Sequence, residues 1–284
     1  MLVEKITSRQ NPLVKRFRRV RAGSERHHIF LEGVRLIEDA LAAGVRFETV
    51  AFTSSAETSE RGLRLLDELQ KIPCRGAHVP PQVMQAIADT ESPQGIAAIV
   101  SRPFYELADL FAERPTLLVV ADGLQDPGNL GTIIRTAEAA NANGLVTTPD
   151  TVDPFNQKAL RASMGSALRL PIVTDASRAD IVNWCRTHGV ALIGTRTSPL
   201  RKPVMIEDAA RAEKTHAYTD ADLTVPLAFL LGHEATGLAE ATAADADQFV
   251  YIPMSPQIES LNVSAAAAIL LYEATRQRQF INLK

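Results

Sequence analysis

Three short strings beyond residue 125 constrain the fold most. They are Asp126-Pro127-Gly128-Asn129-Leu130-Gly131-Thr132-Ile133-Ile134-Arg135, Leu231-Gly232-His233-Glu234-Ala235-Thr236-Gly237-Leu238, and Ile252-Pro253-Met254 followed by Glu259-Ser260-Leu261-Asn262-Val263-Ser264. Each joins an apolar run to a tight turn crowded with polar groups. An ordinary turn needs one or two such residues. Binding and chemistry often sit on loops held by a rigid scaffold. The pattern predicts an enzyme whose site is assembled from strand ends far apart in sequence.

The rhythm around the strings supports such a scaffold. Thr116–Ala121, Gly144–Thr147, Val190–Gly194, Leu227–Leu231 and Phe249–Ile252 read as strands. Helical spacing falls over Leu130–Asn141, Asn156–Ser163 (ending near Gly165), Ser177–His188 and Val263–Arg276. The alternation predicts an α/β fold with a largely parallel sheet. Thr197–Thr224 is polar and without clear period, a long excursion near the site.

The first third is a second α/β alternation. A helix starts after Asn11, with Pro12 suited to its first turn. Strands follow at Ile29–Leu31, Phe47–Thr53 and Gly95–Val100. Helices follow at Val34–Ala43 (stopping at Gly44), Glu60–Leu69 and Pro80–Ala88. Arg102–Pro115 reads as a connection with a short helix around Tyr105–Phe111. With 284 residues to place, two domains are expected, 1–104 and 105–284.

Hydrophobic residues make up 46%, enough for substantial cores, yet no apolar run approaches membrane-spanning length. The polar start at Met1–Gln10 lacks a signal-peptide core, so cytoplasm is the expected location. Cys74 and Cys185 stand in separate segments, which gives neither a disulfide framework nor a metal-ligand spacing. The net charge of −3 hides an asymmetry. Residues 1–30 hold eight Lys or Arg against two Glu, a local balance of +6. Lys15, Arg16, Arg18, Arg19, Arg21 and Arg26 could neutralise phosphates of a nucleic acid, or form a solvated helix face.

The turn after Val120 has no G-x-G-x-x-G and the chain no G-x-x-x-x-G-K-[ST], so neither phosphate-binding loop is expected. Glycine turns follow strands later, at Gly194 and Gly232. A small cofactor could lie against them on main-chain amides, or the glycines could only permit positive φ. Arg135 is too basic for easy proton transfer but can clamp a phosphate. Asn129 can cap the helix that follows it, and Ser260 or Asn262 can cap the last helix. Glu234 is a charged residue closing a very apolar strand; it can orient an arginine or a hydroxyl, or form a salt bridge.

The strings resemble the motifs of the TrmH/SpoU family of RNA ribose 2'-O-methyltransferases, a branch of the knotted SPOUT superfamily. The second is usually G-N-E-x-x-G-L, and the third P-M-x-x-x-x-S-L-N-V-[SA]; order and spacing match from about Leu117 to Glu273. Asn11-Pro12-Leu13-Val14-Lys15, Phe30-Leu31-Glu32-Gly33 and Ser92-Pro93-Gln94-Gly95-Ile96 resemble an L30e-like, RNA-binding domain often fused ahead of that catalytic unit.

The resemblance implies a trefoil-knotted methyltransferase domain behind an L30e-like one. It implies S-adenosylmethionine as cofactor, structured RNA as substrate and a homodimer. Cofactor contacts would come from Gly194, Thr195, Gly232, Ile252, Met254 and Leu261. Arg135 would activate the ribose hydroxyl, with Asn129, Glu234, Ser260 and Asn262 shaping the site. Two residues depart from the pattern: His233 where asparagine is commoner, and Pro256 where glycine is common. The implied substrate is 23S ribosomal RNA. Transfer RNA ribose methylation, base methylation and a non-catalytic RNA-binding protein are the alternatives.

Overall fold

The computed structural model describes residues 2–111, 116–196 and 214–281. The chain forms two compact units, Met1–Pro103 with Phe155–Arg169, and Phe104–Pro154 with Leu170–Lys284. Residues 155–169 cluster with the first unit, although the chain enters and leaves them from the second.

The first unit is a mixed five-stranded sheet of β1 (Leu2–Lys5), β2 (His28–Glu32), β3 (Phe47–Phe52), β4 (Arg75–His78) and β5 (Ile96–Ser101), in the order β1-β4-β3-β5-β2. β5 runs antiparallel to both its neighbours. β1 and β4 were not foreseen. Their sequences, Leu-Val-Glu-Lys and Arg-Gly-Ala-His, carry no alternation; they become strands by pairing outward from β3.

Five helices accompany the sheet: α1 (Pro12–Arg21), α2 (Val34–Ala42), α3 (Ser54–Thr58), α4 (Glu60–Gln70) and α5 (Pro81–Ile87). Asn11 caps α1 by accepting the Leu13 amide at 2.8 Å, and Pro12 occupies the first turn, where no N–H is missed. Val14, Phe17 and Val20 then form one buried stripe with Phe30 of β2 and Val83, Met84 and Ile87 of α5. Phe17 meets Phe30 edge-on at 6.3 Å between ring centres. Burying that one side chain is worth about 2–3 kcal/mol. Residues 155–169 add α7 (Gln157–Ser163), capped by Asn156 and closed by Met164 in the left-handed conformation. Gln157 donates to Phe30 O at 2.8 Å, and Arg161 pairs with Asp89 at 2.7 Å.

The second unit is a wholly parallel seven-stranded sheet. Its strands are β6 (Leu117–Ala121), β7 (Gly144–Thr147), β8 (Ile172–Val173), β9 (Ala191–Thr195), β10 (Thr215–Ala217), β11 (Leu227–Leu231) and β12 (Gln248–Tyr251). The order is β10-β12-β9-β11-β6-β7-β8. β6 and β11 pair centrally, and every residue in both is buried. Burial on two faces explains why they read as unbroken apolar runs. α6 (Pro127–Ala139) and α8 (Arg178–Thr187) follow β6 and β8, and Val263–Ile281 is the C-terminal helix. The polar excursion contains β10, while residues 197–213 lie outside the described residues. Because all strands run the same way, the turns after β6, β9, β11 and β12 open at one rim.

The basic run of α1 is partly structural. Arg16 bonds Glu25 at 3.2 Å and Glu48 at 2.7 Å, and His28 bonds Glu48 at 2.7 Å. Burial alone would raise both carboxyls. Hydrogen bonds and charge from Arg16, with Arg19 on Glu25 and His28 on Glu48, outweigh it and hold both below the ordinary value of 4.5. Their stabilisation is therefore complete above that value and lost as pH falls through the lowered folded values. Arg16→Gln is expected to cost about 1–3 kcal/mol at neutral pH, because Glu25 keeps only Arg19, and Glu48 only His28, of the donors that hold them ionised. Thermal unfolding from pH 7 to pH 3 checks this: the variant starts lower and loses less on acidification.

Candidate active site at the carboxyl rim of the parallel sheet

The site is built around Glu234. Asp122 N donates to Leu231 O at 2.8 Å, which extends the β6–β11 pairing into the turns and sets the first two strings side by side. Glu234 Oε1 then accepts the Asp126 amide at 3.0 Å and Asn129 Nδ2 at 3.1 Å. Oε2 accepts the Gln125 amide at 3.2 Å. Burial pushes this carboxyl up, but these hydrogen bonds win and its pKa lies below the ordinary glutamate value. With its oxygens already taken by donors, Glu234 organises the site; it is not poised to remove a proton. It makes no salt bridge to an arginine among the described residues.

The third string joins through asparagines. Asn262 Nδ2 donates to Asn129 Oδ1 at 2.9 Å, while Asn262 Oδ1 accepts Ser264 N at 2.8 Å and Ser264 Oγ at 2.6 Å. Each amide is oriented by its neighbour: Asn129 gives its NH2 to a carboxylate, so its oxygen must face Asn262. The three strings thus meet in one hydrogen-bonded chain, Glu234–Asn129–Asn262. Asn262 also caps the C-terminal helix. Asn129 does not cap α6, however. Asp126 does, accepting the Asn129 amide at 2.8 Å, so the helix begins at Pro127 and Asn129 lies within its first turn.

The remaining expected residues fall around this chain. Arg135 is exposed on α6, seven residues beyond Gly128 on the same helical stripe, and is not hydrogen-bonded to the asparagines. Ser260 is exposed and makes no hydrogen bond among the described residues. Thr195 Oγ1 donates to Leu230 O at 2.9 Å, tying the end of β9 to β11. Ile252 and Met254 are half-buried just past β12, and Leu261 is exposed.

The two glycines are needed for close approach rather than for backbone freedom. Neither Gly194 nor Gly232 has positive φ; in the second string that conformation belongs to Gly237, at +74°. A Cβ on Gly232 would lie 2.3 Å from the Gly237 carbonyl carbon and oxygen. A Cβ on Gly194 would lie 2.5 Å from the Phe249 ring. The Gly232–Leu238 loop is further closed by Gly237 N to His233 O at 2.8 Å and by Ala235 N to His233 Nδ1 at 3.0 Å. His233 thus accepts the amide two residues on, as an asparagine oxygen does in an Asx turn. Pro256 occupies the second position of a turn in which Ile258 N donates to Ser255 O at 3.0 Å, a position that suits its fixed φ.

Sequence reasoning missed Thr148 and Thr151. Both accept the Gly123 amide, at 3.2 and 3.0 Å, and Thr151 donates to Ala121 O at 2.8 Å. They brace the first string from the loop after β7. The signal was present as a polar run, Thr147-Thr148-Pro149-Asp150-Thr151, closing an apolar strand.

The sequence and the overall fold are matched by known proteins. The SpoU rRNA Methylase family matches residues 116–272, and the MRM3-like substrate binding domain matches residues 4–98. An uncharacterized tRNA/rRNA methyltransferase of Synechocystis is 35% identical, covering 97% of this chain and 95% of its own. The Bacillus subtilis 23S rRNA (guanosine(2553)-2'-O)-methyltransferase RlmP is 32% identical, covering 95% and 98%. Among solved structures, the AdoMet-bound rRNA methyltransferase from Sinorhizobium meliloti aligns with a TM-score of 0.82 and 30% identity, over 96% of this chain and 98% of that one. The chain therefore belongs to the SpoU rRNA Methylase family.

Proposed function

We propose that this protein transfers a methyl group from S-adenosylmethionine to a ribose 2'-hydroxyl of 23S ribosomal RNA. One observation carries the reading: three motifs, the first more than a hundred residues ahead of the other two, converge through Glu234, Asn129 and Asn262. The 23S substrate is supported by the relatives that carry that name at similar length.

The residues suit the cofactor. The ends of β11, β9 and β12 are neighbours in the sheet, so the main chain at Gly232, Gly194, Thr195 and Ile252 lies along one edge of the rim. Met254 and Leu261 offer apolar surface beside these polar backbone groups. These six residues would hold S-adenosylmethionine, which supplies an electrophilic methyl on a good leaving group.

The protein's own task is to place the ribose oxygen and to assist loss of its proton. Asn129 and Asn262 are fixed by their mutual bond and present oriented amides. Glu234 holds Asn129 and the Gln125–Asp126 turn in place. Arg135, with no competing carboxylate partner among the described residues, clamps a phosphate of the target nucleotide and stabilises charge developing on the oxygen. Ser260 stands ready to contact RNA. Residues 1–104 serve as the RNA substrate domain and 105–284 as the methyltransferase domain, with a trefoil knot in the latter. The protein acts in the cytoplasm as a homodimer; exposed Ile258, Leu261 and Tyr272 are apolar surface that a second copy would cover.

The test is transfer of labelled methyl from S-adenosylmethionine to 23S ribosomal RNA, followed by nucleoside analysis. Label on a ribose 2'-oxygen is expected; label on a base, or on transfer RNA alone, contradicts the proposal. Arg135→Ala should lower the single-turnover rate about 100-fold or more while cofactor affinity measured by titration stays close to wild type. A near-normal rate removes Arg135 from the chemistry. Gly232→Ala should push the Gly237 backbone away and weaken S-adenosylmethionine binding about tenfold or more. Unchanged affinity in the folded variant places the cofactor elsewhere.

A further inference from the structure

The N-terminal basic run divides into two sets by the partners its arginines hold. Arg16 and Arg19 point to Glu25 and Glu48, and their charge is spent. The opposite edge of α1 faces α5. There Arg18 Nε donates to Ala86 O at 3.2 Å, and Arg21 Nη1 donates to Ile87 O at 3.0 Å and to Ala88 O. Ahead of the helix, Arg9 Nε donates to Gln82 O at 3.0 Å. These three arginines are held along α5 by main-chain carbonyls, and none has an ion-pair partner among the described residues. Asp89, the first acid after those carbonyls, is paired with Arg161.

A carbonyl fixes a guanidinium without cancelling its charge. The α5 carbonyls contribute at most a partial negative charge of about half a unit. A guanidinium has five N–H donors. Bonding through Nε alone leaves both Nη groups of Arg9 and of Arg18 available, and both side chains are exposed. Lys15 is exposed on the outer face of α1, also without a partner among the described residues. The result is a cationic row whose forks are ordered in advance, which lowers the entropy lost on binding.

We infer that Arg9, Lys15, Arg18 and Arg21 form the surface with which the first unit grips the sugar–phosphate backbone of the RNA. The inference rests on the ribosomal RNA reading given above. Guanidinium forks match phosphate oxygens in pairs, and Phe17, the aromatic residue that falls among the four in sequence, is buried in the core and cannot stack on a base. The contact is therefore independent of sequence; it supplies affinity and leaves choice of nucleotide to other residues. Arg21 also caps α5, so it is left intact in the test.

The test compares full-length wild type, Arg9→Gln/Lys15→Gln/Arg18→Gln, and Arg16→Gln for binding to a labelled 23S ribosomal RNA transcript from 50 to 300 mM KCl. The triple variant should lose at least tenfold in affinity at 100 mM. Its log–log salt slope should flatten by about two to three units, at roughly 0.7–0.9 per lost phosphate contact. A random-sequence RNA should lose affinity equally, and S-adenosylmethionine affinity should not change. Arg16→Gln should lower the unfolding temperature and keep the slope. If the triple variant does not fold, Arg9→Gln and Lys15→Gln singly should each flatten the slope by about one unit. A wild-type slope in the variants, while the wild type methylates 23S RNA, overturns the surface assignment alone. A wild type that neither binds nor methylates this RNA overturns the functional reading as well. Vesicles of phosphatidylglycerol are the control: tighter binding to them than to RNA, lost in the triple variant, assigns the row to a membrane and overturns the proposal.

Discussion

The carboxylate of Glu234 is the point on which the site depends. It closes an apolar strand and accepts donors from both the backbone and a side chain of a turn more than a hundred residues earlier. A carboxylate that takes several donors is held ionised, and each donor is held in return. Without it the Gln125 and Asp126 amides would lose their acceptor, and Asn129 would be free to turn over. The register of β6 against β11 makes this possible, because it brings the ends of the two strands level. The orientation of Asn262, and through it the start of the C-terminal helix, follows from Asn129.

The same economy appears in the arginines of α1. Their positions along the helix decide their fate: Arg16 and Arg19 fall on the side of Glu25 and Glu48, Arg18 and Arg21 on the side of α5. One set locks the first unit together and the other keeps its charge. A sequence count of +6 in the first thirty residues treats the two alike, which is why charge alone overstates the surface available to a phosphate chain.

Much of this was legible beforehand, for physical reasons. β6 and β11 are buried on both faces, so their apolar runs needed no periodicity to be seen. The motif residues sit where strands end, and their crowding gave them away. What remained hidden depends on partners distant in sequence. β4 is a strand only because β3 lies beside it, and β1 only because β4 does. The cap of α6 moved from Asn129 to Asp126, since both residue types can cap and only the backbone decides. Gly232 shows the limit most clearly. Its need for a missing Cβ comes from Gly237 folding back against it at 2.3 Å, not from its own φ.

If Glu234, Asn129 and Asn262 work as one unit, removing any link should cost nearly as much as removing two. The direct measurement is a double-mutant cycle on single-turnover methyl transfer to 23S ribosomal RNA, with Glu234→Gln, Asn262→Ala and the pair. The account predicts strong non-additivity, the double variant falling little below the worse single one, with S-adenosylmethionine affinity following the same pattern less steeply. Losses that simply add would mean that the two residues act independently and that the hydrogen-bonded chain does not organise the site.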